Sequence, residues 1–195
     1  MENRNFIIGI TGGSGCGKTT LLNCIAEKGG LVLDCDAIYH RLVAEDTALL
    51  ASIEARFPGV VENGQLQRKK LGAIVFSDAN ALADLNTITH TAVKNEVLRQ
   101  MQGHNLVAID AIALFEGGLA QLCQSTVAVT APTEDRVQRL MLRDGISEEY
   151  ARKRIAAQPS NEAFSAICDH TLENNGDFCA FRAKCLAFLS DFGIM

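Results

Sequence analysis

The stretch Phe6-Ile7-Ile8-Gly9-Ile10-Thr11-Gly12-Gly13-Ser14-Gly15-Cys16-Gly17-Lys18-Thr19 decides the fold. Its first part, Phe6–Thr11, is a short continuous apolar run of the kind that makes a strand buried on both faces of a parallel sheet. Its second part, Gly12–Thr19, matches G-x-x-x-x-G-K-[ST], and residues 18–28 carry on with a helical pattern. Strand, glycine turn and helix in that order make a phosphate cradle. Glycines let the backbone wrap so that successive N–H groups converge on phosphate oxygens, and the helix adds its positive N-terminal end. Lys18 would set a compact charge on the β- and γ-phosphates, and Thr19 would offer a hydroxyl to Mg²⁺. Gly12, Gly13, Ser14, Gly15, Cys16, Gly17, Lys18 and Thr19 are therefore the expected ATP-binding residues. Lys18 is also expected to act in catalysis and Thr19 to hold metal. Cys16 fills a free position of the motif, where its backbone N–H matters rather than its thiol.

Working outward, four more short runs read as strands: Leu31–Asp34, Asn105–Asp110, Thr126–Thr130 and His170–Glu173, the last more polar and expected at an edge. Helical patterns lie between them. One, over 133–143, opens with Pro132-Thr133 and the acids Glu134 and Asp135, which suit a helix N-terminus. Phe178, Phe181, Cys185, Phe188 and Phe192 are spaced three and four apart and predict an apolar stripe packed on the body. Strands alternating with helices predict an α/β, three-layer fold around a five-stranded parallel sheet. Residues 36–104 hold helical patterns only, which predicts an inserted helical lobe. The expected organisation is a single domain over 1–195: a core of about 1–35 and 104–195, a helical substrate lobe of about 36–103, and a lid of about 143–158.

Composition sets outer bounds. The chain has 195 residues, 48% of them hydrophobic and 21% charged, enough for a sizeable core. A net charge of −5 argues against a general nucleic-acid binder, though local cations could still hold an anionic substrate. The seven cysteines include no C-x-x-C pair, so neither a disulfide framework nor a zinc site is expected, and a reducing cytoplasm is the natural setting. The N-terminal stretch MENRNFIIGITGG lacks a signal-peptide pattern, and no run approaches the roughly 18 apolar residues of a membrane span.

Acidic and basic side chains fall where phosphate chemistry would need them. Asp34-Cys35-Asp36 closes the second strand, and ligands of open parallel sheets bind beyond strand carboxyl ends. Residues i and i+2 share a side while a strand lasts. One aspartate could then take a hydroxyl proton while the other orders Mg²⁺ through water. Asp36 could equally cap the helix starting near Ala37. Asp110 closes the third strand and is a candidate Mg²⁺ ligand through water. Glu116 is a further acid near that edge, or a helix-start residue. Arg136, Arg139 and Arg143 share one helix face, opposite Val137, Leu140 and Met141. Asp144-Gly145 and a short helix with Arg152, Lys153 and Arg154 follow, as in a lid that brings cations to a transferred phosphoryl group. Arg143 and Arg154 are the favoured lid cations.

Taken in order, these segments resemble the dephospho-coenzyme A kinase family along nearly the whole chain. Ile10–Thr19 resembles the family's opening, and Asp34-Cys35-Asp36 its D-x-D, whose second aspartate is regarded as the base for the ribose 3′-hydroxyl. Gly64–Arg68 with Leu71 and Phe76, and Leu85-Asn86-Thr87-Ile88-Thr89-His90, resemble its substrate-lobe segments. Gln138-Arg139-Leu140 and Arg143-Asp144 resemble one end of its lid, Arg154–Gln158 the other, and Asn174-Asn175-Gly176 its loop near adenine. The chain has Thr91 and Ile112 where the family usually has proline, and Cys168-Asp169 where many members have alanine-aspartate.

The resemblance implies catalytic roles for Lys18, Asp36 and Arg143, nucleotide contacts for Arg139 and Asn175, and acceptor contacts for Asp34, Arg68, His90, Glu116 and Arg154. It implies ATP and Mg²⁺ as cofactors and dephospho-coenzyme A as the small-molecule partner. His40, His104 and His170 are expected to be structural. A nucleoside or nucleotide kinase on the same fold, and a nucleotide switch that transfers nothing, are the alternatives. The lid arginines and the lack of an Asn-Lys-x-Asp guanine-reading motif argue against the switch.

Overall fold

The computed structural model describes residues 6–194; residues 1–5, part of the stretch read for a leader, and Met195 lie outside the described residues. In chain order the elements are β1 (Phe6–Thr11), α1 (Lys18–Glu27), β2 (Leu31–Asp34), α2 (Cys35–Glu45), α3 (Thr47–Arg56), β3 (Val61–Glu62), β4 (Gln65–Leu66), α4 (Arg68–Val75), α5 (Ala79–Gln100), β5 (Leu106–Asp110), β6 (Ser125–Thr130), α6 (Thr133–Asp144), α7 (Glu148–Ala156), α8 (Asn161–Ile167), β7 (His170–Glu173) and α9 (Phe178–Asp191).

Five parallel strands run in the order β2-β5-β1-β6-β7, so β1 is central and the polar β7 lies at an edge, as its sequence predicts. The chain leaves β1 toward one side of the sheet for β2 and β5, then crosses to β6 and β7 on the other. That reversal at β1 opens a crevice at the strand carboxyl ends. Register aligns the groups there: Asp34 lies beside Asp110, and Asp110 beside Ile10, one residue before Thr11 and the glycine loop.

Alternation along the strands builds two cores. Ile7, Leu33, Val107 and Ile109 face one layer, with Leu114, Ile38, Leu42 and Val97. Ile8, Ile10, Val127 and Val129 face the other, against Leu21, Ile25, Phe181, Cys185 and Leu189. Each such fully buried side chain stabilises by about 1.5–3 kcal/mol of transfer energy. Gly9 makes room in β1 for the side chains packed on it: a Cβ there would stand 2.8 Å from both Cys123 Sγ and Leu114 Cδ2, so one of them would have to shift.

The segment between β2 and β5 departs from the all-helical expectation. It holds α2 to α5 plus a small antiparallel hairpin, β3–β4. Asn63 (φ 51°) and Gly64 (φ 73°) turn it in the left-handed region, the chemistry of a two-residue hairpin. At Thr91 α5 runs on unbroken, and the Thr91 hydroxyl donates back to Thr87 O at 2.7 Å.

Two apolar positions also differ from expectation. Phe178 is 66% exposed, because it opens α9 on the solvent side; Phe181, Cys185 and Phe188 are buried, and Phe192 packs against the same core from just beyond the helix. Met141 is 38% exposed, while Arg136, read on the polar face, is buried. The inward face of α6 is thus set by Val137, Leu140 and Arg136 rather than by Met141. Asp169 fastens β7 to β6, its Oδ2 accepting Thr126 N at 2.8 Å and Thr126 Oγ1 at 2.7 Å. Among the described residues no helix is long and apolar enough to cross a membrane.

Candidate active site

The loop between β1 and α1 adopts left-handed backbone at Gly12 (φ 134°), Gly15 (φ 81°) and Gly17 (φ 98°). Gly17 is the helix N-cap and supplies no side-chain acceptor, so the first amides of α1 face the cleft open to an anion. Three successive carbonyls of the loop are held from outside. Ser14 O accepts Arg136 Nε at 2.9 Å, Gly15 O accepts Arg139 Nη1 at 3.1 Å, and Cys16 O accepts Asn174 Nδ2 at 2.9 Å. With these carbonyls turned outward, the loop keeps for the interior its amides other than Ser14 N and Cys16 N, which donate to Gln158 Oε1 and Gly13 O. The glycines also make room: a Cβ on Gly13 would meet Arg136 Nη2 at 2.2 Å, and one on Gly17 would meet Asn174 Nδ2 at 2.3 Å. Cys16 is fully buried, and burial pushes its thiol up despite Arg136 and Lys18 nearby, so the thiol is not a reactive group.

Lys18 Nζ donates to Gly12 O at 2.9 Å and lies 3.9 Å from Asp110 Oδ1. Asp110 Oδ1 is buried and has no hydrogen-bond partner among the described residues. Burial pushes the Asp110 carboxyl up to about 6; Lys18 pulls the other way, and Asp34 and Asp36 add to the rise.

The D-x-D segment is divided between two elements. The strand ends at Asp34, whose Oδ1 accepts Ala37 N at 2.9 Å and caps α2. Asp36 is in the first helical turn, so the strand alternation expected to align the two carboxylates does not apply. The capping expected of Asp36 is done by Asp34.

A cleft of about 640 Å³ gathers most of the expected phosphate-handling residues. Gly13, Ser14, Gly15, Gly17, Lys18 and Thr19 of the loop line it, together with the acids Asp34, Asp36 and Asp110 and the cations Arg139, Arg143 and Arg154. Asp144 holds two of these arginines: Arg143 Nε lies 2.7 Å from Asp144 Oδ1 and Arg154 Nη1 2.7 Å from Asp144 Oδ2. The paired guanidiniums hold the Asp144 carboxyl down to about 2, Arg143 foremost.

A second, more apolar cavity lies under α5, lined by Tyr39, Leu85, Asn86, Thr89, His90 and Val93 with Cys35, Ala111 and Leu119. Asp36 and Ile112 line both this cavity and the phosphate cleft. Arg68 is exposed at the start of α4, 3.5 Å from His40 Nδ1. Glu116 is exposed in the turn after β5, not at a helix start, and lines neither cavity. Asn175 lines a third cleft at the carboxyl ends of β6 and β7, with Thr130, Ala131, Pro132 and Asn161. Its Oδ1 accepts Lys184 Nζ at 3.0 Å. His170, expected to be structural, packs edge-on against Phe188 and Phe192.

Three residues outside the sequence-derived set matter to this geometry. Arg136 stood in the arginine face but carried no assigned role. Asn174 is the buried neighbour of the expected Asn175. Gln158 accepts Ser14 N at 2.8 Å and donates to Ser14 Oγ at 3.0 Å. Helical phase sets Arg136 with Arg139 and Arg143 and gives no sign of its burial, and Gln158 is signalled only as the last residue of the lid-like segment Arg154–Gln158.

Comparison with known proteins shows the family and the fold. The family model described as dephospho-CoA kinase matches residues 6–179. The dephospho-CoA kinase of Thermobifida fusca is 37% identical over 174 residues, 87% of each chain. The structure of dephospho-CoA kinase from Campylobacter jejuni superposes with a TM-score of 0.66 at 26% identity, covering 100% of both chains. Shikimate kinase from Bacteroides thetaiotaomicron, at 15% identity and a TM-score of 0.56 over 96% of this chain and 98% of its own, shares the fold. A phosphate loop braced at three carbonyls, acids at neighbouring strand ends and arginines lining the cleft thus sit in a chain that belongs to the dephospho-CoA kinase family.

Proposed function

We propose that this chain transfers the γ-phosphoryl group of ATP to the ribose 3′-hydroxyl of dephospho-coenzyme A, giving coenzyme A. The observation that carries the reading is the position of Asp36. Its side chain lines both the phosphate cleft and the apolar cavity, so a donor on the loop and an acceptor in the helical segment would meet at one carboxylate.

Each group has a role in that reading. Lys18, released from Gly12 O, binds the β- and γ-phosphates. Asp36 accepts the proton of the 3′-hydroxyl as it attacks in line. Arg143 and Arg154, with Arg139, offset the charge that spreads over the transferred phosphoryl group. Residues of about 36–103 form the acceptor lobe, with His90 and Arg68 as contacts, and about 143–158 form the lid that excludes water. The cleft lined by Asn175 takes the adenine of ATP. The seven free cysteines suit a reducing cytoplasm.

Mg²⁺ fits the residues present. Thr19 and Asp110 supply hard oxygen donors, and among the described residues Asp110 Oδ1 is a buried carboxylate oxygen without a hydrogen bond. Among the described residues no three acidic, histidine or cysteine side chains converge closely enough to cage an ion alone. That suits Mg²⁺, which takes most of its ligands from phosphate and water. Thr19 would hold it directly and Asp110 through water; bound there, it would neutralise charge on the phosphates.

The test is ADP release by the purified protein with ATP and Mg²⁺, with and without dephospho-coenzyme A, and the mass of the product. Acceptor-dependent ADP release with a product one phosphoryl group heavier is expected. ATP binding without acceptor-dependent turnover would overturn the reading, and a panel of nucleosides would then identify the acceptor.

A further inference from the structure

Arg136 is 3% exposed, yet among the described residues no carboxylate pairs with it. Its hydrogen-bond partners are neutral: Ser14 O, 2.9 Å from Nε, and Gln158 Oε1, 3.3 Å from Nη2. Gln158 in turn accepts Ser14 N at 2.8 Å and donates to Ser14 Oγ at 3.0 Å. Every polar group of Ser14, at a position the motif leaves free, is therefore occupied by two side chains, one from α6 and one from just beyond α7.

We propose that Arg136 and Gln158 are positioning residues that brace the phosphate loop in its anion-binding shape, with Arg136 also placing an uncompensated positive charge behind it. A buried cation without a counter-ion is costly unless an anion comes close. Here the anion is the nucleotide's triphosphate, so its arrival relieves a cost already present in the empty protein. The geometry of the loop points the same way. Holding Ser14 O outward fixes the peptide from which the amides of Gly15 to Thr19 follow. Gly13 is tightly covered, since a Cβ there would come within 2.2 Å of Arg136 Nη2. Neither side chain is assigned to the phosphates, so both act through the loop. The proposal rests on the reading that ATP occupies this loop.

The brace governs nucleotide affinity more than the chemical step. The experiment is equilibrium titration with ATP and with inorganic triphosphate, which has no base or ribose, on the native protein and on Arg136→Met, Arg136→Lys and Gln158→Leu, each followed by steady-state kinetics. Arg136→Met is expected to weaken both ligands about tenfold or more, with KM for ATP rising more than kcat falls. Arg136→Lys should recover part of the loss, because it keeps charge but not the planar fork. Gln158→Leu should weaken both ligands several-fold, and the double variant should lose less than the two effects multiplied, because both act through Ser14. If Arg136→Met fails to fold by circular dichroism, Gln158→Leu and Arg136→Lys carry the test. Folded variants that bind triphosphate within about twofold of native, or that lose kcat with binding intact, overturn the brace alone. A native protein that binds no triphosphate overturns the nucleotide reading and the brace with it.

Discussion

Asp34 caps the helix that carries Asp36: Asp34 Oδ1 accepts Ala37 N at 2.9 Å, and the turn so fixed leaves the Asp36 side chain on the wall shared by two cavities. The two acids therefore separate by experiment. Asp36→Asn should lower kcat about 10²-fold or more while ATP affinity stays near native, since a positioned base contributes that much. Asp34→Ala should cost about 1 kcal/mol of unfolding free energy and Asp34→Asn much less, because asparagine also caps. Kinetics with an ATP titration reads the first, and denaturant unfolding the second. Native turnover in Asp36→Asn would remove it as the base.

Asp110 makes a pH prediction with a definite sign. Burial first of all raises its carboxyl from the ordinary 3.8 to about 6 in the folded chain. The folded protein then holds this proton more tightly than the unfolded one. The penalty of the ionised form is absent below about 3.8, builds as pH rises to about 6, and is complete above it. That penalty is on the order of 2–3 kcal/mol in the nucleotide-free protein. Asp110→Asn should therefore be more stable than native at pH 7.5, and the gap should close as pH falls through 6 toward 4. Its Mg²⁺-dependent ATP affinity should fall at pH 7.5. Melting curves and ATP titrations across that range check both; a gap that does not vary with pH would show that the Asp110 charge is not strained.

Gly12 meets two separate demands. Its φ of 134° lies where side chains are strained, and a Cβ there would stand 2.2 Å from Val129 O, a backbone atom of β6 that cannot swing aside. Gly12→Ala should thus destabilise by about 3 kcal/mol or more and weaken ATP binding. Gly29, also at positive φ (77°) but with open space around it, isolates the conformational part, so Gly29→Ala should cost about 1 kcal/mol. Parallel unfolding curves test the contrast, which equal losses would refute.

These cases show which features the sequence carries on its surface. The sheet is legible because four of its five strands are short apolar runs followed by a turn-former, with the polar His170–Glu173 at the edge, and the loop because its residue types are fixed by backbone geometry. The β3–β4 hairpin was legible in principle, through Asn63-Gly64, but its strands are two residues each and leave no alternation to read. The burial of Arg136 was hidden because an arginine every third or fourth residue reads as a solvated face. Only the loop packed over α6 turns Arg136 inward while leaving Arg143 exposed. Gln158 was hidden for a related reason: its partner, Ser14, is 144 residues away, and no local pattern encodes that contact. The split of the D-x-D segment turns on a single boundary residue, the least determined part of any sequence reading.

The last prediction concerns the arginines of the cleft. Asp144 gathers Arg143 and Arg154 with contacts of 2.7 Å each, and both guanidiniums line the phosphate cleft. In the proposed reaction a triphosphate would bring a stronger anion to the same two cations, and their largest benefit would fall on the charge of the transferring phosphoryl group. Arg143→Ala and Arg154→Ala should each lower kcat about 10- to 10³-fold, with a smaller rise in KM for ATP. Arg143→Lys should recover little, because a point charge cannot pair two oxygens as a planar fork does. Stability should move by less than about 0.5 kcal/mol, since the Arg143 side chain is 61% exposed. Asp144→Asn keeps the shape but removes the charge that tethers both arginines, so it should lower kcat by less than either arginine loss. An Arg143→Ala enzyme with native kcat would pass the transition-state role to Arg154, whereas an Asp144→Asn enzyme slower than both arginine variants would mean that gathering the cations matters more than either one.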